Sequence, residues 1–295
     1  MSVAVEPSNT DAGEAGTHNP GPQLGQQAFE RVQAMIYRHA GISLKAGKMQ
    51  MVHSRLLRRL RALRMDSFDR YLDQLDRAGA DSPEWQEFVN ALTTNLTSFF
   101  REQYHFPVLS RHLQGLRRPG PVRIWCAAAS TGEEPYSIAI TAAEALGGRA
   151  DVQILATDID TRVLEAAQRG VYPLDAVERL DRSVLKRHFL RGKGPNEGFV
   201  RVTQELRQLV TLRPLNLLEP AWPMRERFDA IFCRNVLIYF DKPTQIRVVQ
   251  RLAGYLAPGG LLFVGHSENF TQMRDCVELV GKTVYRAARQ PQGPP

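Results

Sequence analysis

Polar and charged side chains stand where the apolar, strand-like runs of this sequence end. Glu134 follows the first run, Asp158 ends the second, and Arg234 and Asn235 follow a later one. Burying such groups without partners costs free energy, so they either fasten the structure or face a ligand. Ligands of open α/β sheets bind at the carboxyl ends of the strands. These residues therefore predict a small-molecule site at one edge of a parallel sheet.

The segment AAASTGEEPY at 127–136 follows the first predicted strand and allows a ligand to come close to the backbone. Ala128 is small, and Gly132 permits an unusual turn. The repeated glycines of a dinucleotide-binding loop are missing, so no phosphate clamp is predicted. Glu133 and Glu134 would repel a pyrophosphate but would tolerate a cation such as an α-ammonium group. The alternative is that both acids are only favourable residues of a first helical turn.

Asp158 ends the second predicted strand, where an acid typically accepts hydrogen bonds from a ribose diol. The alternative is that Asp158 or Asp160 caps the next helix, and Asp160 is the better candidate for that cap. Asn216 closes a further strand. The polar set at 94–101 joins the helical part of the chain to the sheet. Each feature alone could be structural, but together they favour a ligand site at the sheet edge.

Length and composition exclude several classes of protein. The chain has 295 residues, of which 43% are hydrophobic and 23% charged, so it is not wholly disordered, collagenous or a coiled coil. It has no apolar run of about 18 residues, and residues 1–25 have no signal-peptide pattern. Cys126, Cys233 and Cys276 share no metal-ligand spacing. We expect no metal site, and we expect free buried thiols in a reducing cytosol.

The basicity of the chain is local. The formal net charge is +7, and residues 45–64 alone carry seven basic residues and no acid. The apolar positions of this stretch form one helical stripe, and the side opposite is predicted to present the cations Lys48, Arg55, Arg58 and Arg59. Such a face predicts an acidic partner: nucleic acid, anionic lipid or an acidic protein.

Periodicity predicts two kinds of architecture. Residues 1–25 are predicted as a disordered tail, 26–94 as a four-helix domain, 95–120 as a linker and 289–295 as a flexible tail. Residues 121–288 alternate strands and helices, which predicts a doubly wound, mostly parallel α/β sheet interrupted by a small β-subdomain at about 171–208. The predicted strands are Val122–Ala129, Val152–Asp158, Leu209–Leu217, Phe228–Cys233, Leu261–Gly265 and a closing antiparallel pair within Val277–Ala287. A helix over Pro243–Leu256 is predicted to stop at the Pro258–Gly260 turn.

Four motifs resemble one family. TTNLTSFFRE, AAASTGEEPYSIA, FCRNVLIYF and GHSENF occur in this order and resemble the chemotaxis receptor methyltransferases, the CheR family, from about residue 27 to 288. The resemblance implies a Rossmann-like S-adenosylmethionine-dependent methyltransferase domain with an inserted antiparallel β-subdomain, preceded by a small all-helical domain. It implies methyl transfer to glutamate side chains of chemoreceptor cytoplasmic helices, giving glutamyl methyl esters.

The resemblance also implies site residues. The residues expected to bind the cofactor S-adenosylmethionine are Asn95, Thr97, Arg101, Ala128, Glu134, Asp158, Asn216, Leu217, Arg234 and Asn235. In the family pattern Glu134 holds the methionine part, Asp158 the ribose, and Asn216 with Leu217 the adenine. Tyr239 is expected near the sulfonium, and Arg101 and Tyr239 are the candidates for aiding transfer.

Receptor contacts are expected at two places. The cations Lys48, Arg55, Arg58 and Arg59 would steer acidic receptor helices, unless they form only a solvated face. The loop RGKGPNEGFVRV, with Gly192 and Gly194, resembles the family version that binds a receptor C-terminal peptide by strand addition. The protein would then be cytoplasmic and recruited to membrane receptor arrays.

Two other functions stay open. The basic helix also permits an S-adenosylmethionine-dependent RNA methyltransferase, although no aromatic-rich base-flipping motif accompanies the cofactor residues. A non-catalytic adaptor that only binds S-adenosylmethionine is the non-enzymatic alternative, and intact Arg101 and Tyr239 argue against it.

Overall fold

Helices precede the sheet in the chain. The computed structural model of the protein describes residues 21–148 and 151–288. Its helices are α1 Gln26–Ala40, α2 Met49–Leu63, α3 Phe68–Ala78, α4 Pro83–Leu92, α5 His105–Gly115, α6 Glu133–Leu146, α7 Thr161–Arg169, α8 Arg182–His188, α9 Gln204–Gln208 and α10 Lys242–Gly254. Its strands are β1 Val122–Cys126, β2 Val152–Asp158, β3 Val171–Pro173, β4 Phe189–Arg191, β5 Phe199–Val202, β6 Val210–Pro214, β7 Phe228–Cys233, β8 Leu256–Val264, β9 Val277–Gly281 and β10 Val284–Ala287. In the described part of the chain, no helix combines the length and the apolar character needed to cross a bilayer.

Helices α1 to α4 pack around their own core, as the helical spacing of apolar residues predicts. Phe29, Leu56, Tyr71 and Phe88 are among the side chains buried there. Ser82 caps α4 by accepting a hydrogen bond from the Trp85 backbone N–H, 3.3 Å away. The predicted tail 1–25 lies mostly outside the described residues, which begin at 21. The part of it that is described includes Leu24, which is buried in this helical core.

The main sheet has seven strands in the order β6-β2-β1-β7-β8-β10-β9. The five strands β6, β2, β1, β7 and β8 run parallel, and the hairpin β9–β10 closes the edge antiparallel. From β1, the chain continues to β2 and β6 on one side of the sheet and then crosses to β7 and β8 on the other side. The strand order therefore reverses between β1 and β7, where α/β proteins bind ligands. The predicted doubly wound sheet and its closing antiparallel pair are confirmed.

The predicted insertion is a separate three-stranded antiparallel sheet in the order β3-β5-β4. Tyr172 of β3 and Phe189 of β4 are buried beneath it and form edge-to-face contacts with Phe99, with ring centroids 4.9 and 5.4 Å apart. Phe99 belongs to the predicted linker. The subdomain is therefore packed directly on the segment that joins the helical domain to the sheet.

Several predicted boundaries are wrong, and one has a clear cause. Helix α10 ends at Gly254, and Pro258–Gly260 lies inside β8 and does not end a helix. The pairing of β7 with β8 shifts register there, and a Cβ on Gly260 would lie 2.8 Å from the Phe228 carbonyl oxygen. Glycine thus permits a bulge within the strand. Strands β1 and β6 also end earlier than predicted, at Cys126 and Pro214, and β8 begins at Leu256 and not at the predicted Leu261.

The predicted linker 95–120 is not irregular throughout. Its second half forms α5, whose Leu109 and Leu113 are buried in the same core as residues of α6. Cys126 and Cys233 are buried free thiols, as predicted, whereas Cys276 is half-buried.

Candidate active site

A cavity of about 320 Å³ lies between the carboxyl edge of the main sheet and the helical domain. Its lining includes all ten predicted cofactor residues and Tyr239, namely Asn95, Thr97, Arg101, Ala128, Glu134, Asp158, Asn216, Leu217, Arg234, Asn235 and Tyr239. These residues come from five separate segments of the chain. The structure thus brings together every residue that the sequence proposed for the cofactor, and we call this space the cofactor cavity.

Asp158 ends β2 and is only 9% exposed. Its carboxylate accepts hydrogen bonds from the backbone N–H groups of Ser130, at 2.8 Å, and Asp160, at 3.0 Å. Burial raises the pKa of Asp158 to about 6, and the two backbone donors oppose the rise. A carboxylate with one donor on each oxygen can still accept the two hydroxyls of a ribose.

Asp160 caps α7, as predicted, because it accepts from the backbone N–H groups of Arg162 and Val163. Its other oxygen accepts from the Asn95 side-chain amide at 2.7 Å and from the Thr93 hydroxyl at 2.7 Å. The amide N–H of Asn95 is therefore occupied within the protein. Asn95 therefore fastens the start of the linker to the sheet edge. The group that it can offer to a ligand is the oxygen of its side-chain amide.

Arg234 and Glu134 form a buried ion pair at the bottom of the cofactor cavity. The Nη1 of Arg234 is 2.9 Å from Glu134 Oε2, and its Nη2 donates to the Arg101 carbonyl oxygen at 2.5 Å. Burial raises the pKa of Glu134, and the Arg234 guanidinium opposes that rise. Breaking such a pair on one side leaves an uncompensated buried charge, which typically costs about 3–5 kcal/mol.

Glu102 is a site residue that the sequence analysis missed. It lies 3.4 Å from Arg234 Nη2 and accepts hydrogen bonds from the Asn235 amide, at 3.2 Å, and the His266 ring, at 2.9 Å. Burial alone would raise its pKa, but the hydrogen bonds from His266 and the charge of Arg234 outweigh it and hold the pKa at about 2. Glu102 was visible as the last residue of TTNLTSFFRE, but Arg234, Asn235 and His266 are more than 100 residues away in the chain.

Glu268, in the GHSENF motif, is the second missed residue. Its buried carboxylate accepts from the backbone N–H groups of Gly265 at 2.6 Å, Leu237 at 2.8 Å, Asn235 at 3.0 Å and Ile238 at 3.3 Å. The loop at 235–239 is thereby wrapped around one carboxylate. Asn235 adopts a left-handed conformation there, with φ of 59°. Glu268 fixes the backbone that presents Asn235 and Tyr239 to the cofactor cavity.

The helical domain completes the cavity on the side of Asn216. The Asn216 amide donates to the His39 carbonyl oxygen at 2.7 Å, and its oxygen accepts from the Leu218 backbone N–H at 2.9 Å. Both polar atoms of this side chain are thus engaged with the protein. The Ser43 backbone N–H also donates to the Tyr239 carbonyl oxygen at 2.8 Å. Residues 40–51 contribute part of the lining, including Lys45 and Lys48, which the cofactor pattern of the sequence did not include.

Arg101 lies at the joint between the linker and the sheet. Its guanidinium donates to the Leu96 carbonyl oxygen at 2.9 Å, and its positive charge lowers the pKa of Glu134, although burial has the larger, opposite effect. The residues on either side, Phe100 and Glu102, have positive φ angles of 52° and 54°. These two strained residues turn Arg101 into the cavity. The strain is held by the hydrogen bond from the Phe100 backbone N–H to the Ser137 hydroxyl and by the contacts of the Glu102 side chain described above.

The face of α2 differs from the prediction. Arg55 donates to the carbonyl oxygens of Ala91, Leu92 and Thr93 at 3.4, 3.2 and 2.6 Å, so it caps the end of α4. Arg59 is paired with Glu84 at 2.6 Å and with Glu87 at 3.3 Å. Arg55 and Arg59, which the sequence placed on an exposed cationic face, are instead engaged within the domain, because carboxylates and a helix C-terminus lie within their reach. Lys48 and Arg58 are exposed.

Gly192 and Gly194 do not line the cofactor cavity. They lie in the turn between β4 and β5, where the Gly192 N–H donates to the Phe199 carbonyl oxygen at 2.8 Å. A Cβ on Gly192 would overlap the Asn196 carbonyl group. Gly194 has a φ of 57° but open space around it.

The cavity fits S-adenosylmethionine. It has the size of a small-ligand site, its Ala127 and Ala128 are small, and Asp158 can accept hydroxyl groups. Arg234 Nε is buried without a hydrogen-bond partner among the described residues, so a donor is left for a ligand carboxylate. Within residues 21–148 and 151–288, no group of three or more His, Cys, Asp and Glu side chains is placed to hold a metal ion.

Comparisons with known proteins agree with this geometry. Residues 27–93 match the family described as CheR methyltransferase, all-alpha domain, and residues 95–286 match CheR methyltransferase, SAM binding domain. The chain is 54% identical to chemotaxis protein methyltransferase 2 of Pseudomonas aeruginosa, over 92% of this chain and 99% of that protein. It is 53% and 50% identical to the chemotaxis protein methyltransferases of Salmonella typhimurium and Escherichia coli, each over 90% of this chain and 92% of the relative. The chain therefore belongs to the CheR methyltransferase family.

Proposed function

We propose that this enzyme transfers the methyl group of S-adenosylmethionine to glutamate side chains of chemoreceptor cytoplasmic helices, giving glutamyl methyl esters. The observation that carries the proposal is the convergence of five distant segments on one cavity. The names of the relatives, chemotaxis protein methyltransferases, support the same class of substrate.

The cofactor is proposed to lie along the carboxyl ends of β6, β2, β1 and β7. Asp158 would accept the ribose hydroxyls, and the segment at 216–217 would line the adenine. Arg234, whose Nε is unpartnered among the described residues, would take the methionine carboxylate, while Glu134 attracts the ammonium group. Thr97 and Ala128 would contact the cofactor from opposite walls of the cavity. Bound S-adenosylmethionine supplies a methyl group on a sulfonium, and S-adenosylhomocysteine is left after transfer.

The substrate glutamate needs little chemical help. A glutamate has a solution pKa of about 4.3, so its carboxylate is already ionised at neutral pH and no general base is required. The protein must align the carboxylate and exclude water. Alignment can contribute roughly 7 to 11 kcal/mol in favourable cases. Arg101 would orient the substrate carboxylate without forming a tight ion pair with it, because a tight pair would make the carboxylate a weaker nucleophile. Tyr239 would shape the wall beside the reacting centre.

Exposed cations near the cavity are proposed to register the acidic receptor helices. Lys48 lines the cofactor cavity, and Arg58 and Arg61 are exposed on α2. Electrostatic complementarity of this kind raises association rates and suppresses wrong partners. Arg55 and Arg59 would support this face indirectly by holding α2 against α4.

The β-subdomain is proposed to bind a receptor C-terminal peptide, which would recruit the enzyme to membrane receptor arrays. Strand β4 is an edge of the three-stranded sheet, and its Leu190 is 59% exposed. The His188 carbonyl accepts from Thr203 and the Gly192 N–H donates to Phe199, so Phe189 and Arg191 direct their backbone groups outwards. An unpaired edge of this kind can accept an added strand.

Incubation with labelled S-adenosylmethionine tests the proposed function. The substrates are a panel of receptor cytoplasmic fragments, with total RNA as the alternative acceptor. We expect label on receptor fragments, and we expect base to release it, since methyl esters hydrolyse in base. Label on RNA alone would support the RNA methyltransferase, and cofactor binding without transfer to any acceptor would support the adaptor.

A further inference from the structure

Two large apolar side chains stand exposed at the mouth of the cofactor cavity. Leu96 is 81% exposed and Ile238 is 47% exposed, although both contribute to the lining of the cavity. Leu96 has the highest exposed fraction among the exposed large apolar residues of the described chain. Single exposed apolar residues are ordinary on protein surfaces, so exposure alone says little. Here both residues line the same cavity. Leu96 lies between Asn95 and Thr97, which are predicted to bind the cofactor, and Ile238 precedes Tyr239, which is expected near the sulfonium.

Both side chains are carried by fixed backbone. The Leu96 carbonyl oxygen accepts from Arg101 Nη1 at 2.9 Å, and the Ile238 N–H donates to the buried Glu268 at 3.3 Å. The loop of Ile238 is held by two further backbone hydrogen bonds to the same carboxylate, from Asn235 and Leu237. A backbone held in this way loses little freedom when a partner binds.

The cofactor cannot cover these residues completely. Leu96 keeps 81% of its surface accessible, so it protrudes from the wall, and a ligand in the cavity can contact only one side of it. The outward surface therefore remains for a second partner. Lys45 and Lys48 line the same cavity and are exposed, so the mouth combines apolar surface with positive charge. This combination fits an acidic amphipathic helix.

We propose that Leu96 and Ile238 are substrate-contact residues that close on the receptor helix around the target glutamate and exclude water from its carboxylate. The inference rests on the proposed function. We call Leu96 and Ile238 the apolar seal. By excluding water, the apolar seal would strengthen the remaining electrostatic interactions inside the site and keep water from solvating the nucleophile. The two lysines attract the acidic helix, and the apolar pair desolvates the one carboxylate that enters the cavity.

Serine substitutions test the seal. Leu96→Ser and Ile238→Ser should each lower kcat/KM for a receptor fragment by about tenfold, the scale for losing one buried aliphatic side chain from a contact. Loss of helix contact raises KM, and loss of water exclusion lowers kcat. Leu96→Met should restore most of the activity, because methionine is apolar and of similar size. Leu279→Ser is the matched control, since Leu279 is 49% exposed on β9 at the other end of the sheet.

Calorimetric binding of S-adenosylhomocysteine separates the seal from the cofactor site. Both serine variants should bind it within about twofold of the wild type. The inference is overturned if they methylate receptor fragments as well as wild type does, or if their cofactor affinity falls as much as their activity. A wild-type enzyme that methylates no receptor fragment would contradict the proposed function itself, and with it the seal.

Discussion

At the scale of single residues, Asp158 is the proposed ribose-binding side chain, and its binding would depend on its charge. Its pKa of about 6 means that a modest change of pH changes its ionisation. Because the pKa is raised in the folded protein, the charged form costs folding free energy, and stability from this group declines as pH rises from about 4 to 6. A group kept at a cost in stability is a candidate for binding.

We therefore predict that S-adenosylhomocysteine affinity falls as pH is lowered through about 6, approaching a tenfold loss per pH unit below it. The ionised carboxylate accepts the ribose hydroxyls, and the protonated form accepts them poorly. Isothermal titration calorimetry between about pH 7.5 and 5 measures this dependence. Asp158→Asn should bind about 1 to 3 kcal/mol more weakly at neutral pH and should lose most of the pH dependence. Unchanged affinity in a folded Asp158→Asn protein would remove Asp158 from the cofactor site.

For Arg101, we predict that Arg101→Ala loses most methyl transfer and keeps its fold. The side chain is partly exposed and makes one hydrogen bond, to the Leu96 carbonyl oxygen, so its removal leaves no buried group unpaired. Arg101→Lys keeps the charge but not the planar donor geometry, and it should be intermediate. Single-turnover kinetics at saturating cofactor and circular dichroism give the two readouts. Turnover near that of the wild type would limit Arg101 to a structural role.

The sequence predicted the residues of the cavity better than the residues that position them. Asp158 and Arg234 are polar side chains at strand ends, which is a local signal. Glu102 and Glu268 act through contacts with Asn235, and these contacts span 133 and 33 residues of chain. Spacing along the sequence carries no information about such pairings. The same limit explains Arg55, whose three carbonyl partners belong to another helix.

At the scale of elements, the β4–β5 turn separates two glycines that look equivalent in the sequence. Gly192 needs space, because a Cβ there would overlap the Asn196 carbonyl group. Gly194 needs only its left-handed conformation, with φ of 57° and no atom nearby. The structural requirement at Gly192 is therefore stricter, and alanine at Gly194 should cost only about 1 kcal/mol.

We predict that Gly192→Ala greatly weakens binding of a receptor C-terminal peptide, because it displaces the end of edge strand β4. Gly194→Ala should bind the peptide nearly as well as the wild type. Neither change should alter S-adenosylhomocysteine affinity by more than about twofold, since neither residue lines the cofactor cavity. Fluorescence anisotropy of a labelled peptide gives the comparison. Equal peptide binding by both variants would argue against strand addition at β4.

Element types followed from periodicity, whereas element ends followed only where polar residues mark them. The strand at Val152–Asp158 was predicted with its observed bounds, because its apolar run is closed by polar residues on both sides. Pro258–Gly260 was predicted to end α10, and instead it forms a bulge within β8. Proline and glycine mark turns and bulges alike, and only the pairing with β7 decides between them.

At the scale of the whole molecule, the helical domain is part of the active site. Tyr37 of α1 donates to Asp241 at 2.5 Å, and Asn90 of α4 donates to the Thr161 hydroxyl at 3.1 Å. The segment at 40–51 lines the cofactor cavity between these contacts. Two domains recognised separately in the sequence thus share one site. Their relative placement could not be predicted, because amphipathic patterns indicate buried faces without naming their partners.

The receptor-binding role proposed for the exposed cations of α2 can be tested by charge reversal. We predict that the double variant Arg58→Glu and Arg61→Glu methylates receptor fragments about tenfold or more slowly at low salt, and that high salt narrows the difference from the wild type. Both side chains are exposed, so the fold should persist. Initial rates across an ionic-strength series provide the measurement. A salt-independent loss would indicate a structural defect.

Arg59→Glu is the contrasting variant. Its arginine pairs with Glu84 and Glu87, so reversal places three acids together and should lower the melting temperature. If Arg59→Glu instead loses methylation in the same salt-sensitive way as the surface double variant, and keeps its melting temperature, the internal role assigned to Arg59 is contradicted.

Mass spectrometric mapping of a methylated receptor fragment tests whether this cavity forms glutamyl methyl esters. We predict that the transferred methyl group maps to a glutamate side chain, that base removes it, and that replacing the mapped glutamate by glutamine abolishes the signal at that position. Methyl groups found only on other side chains, or stable to base, would contradict the account.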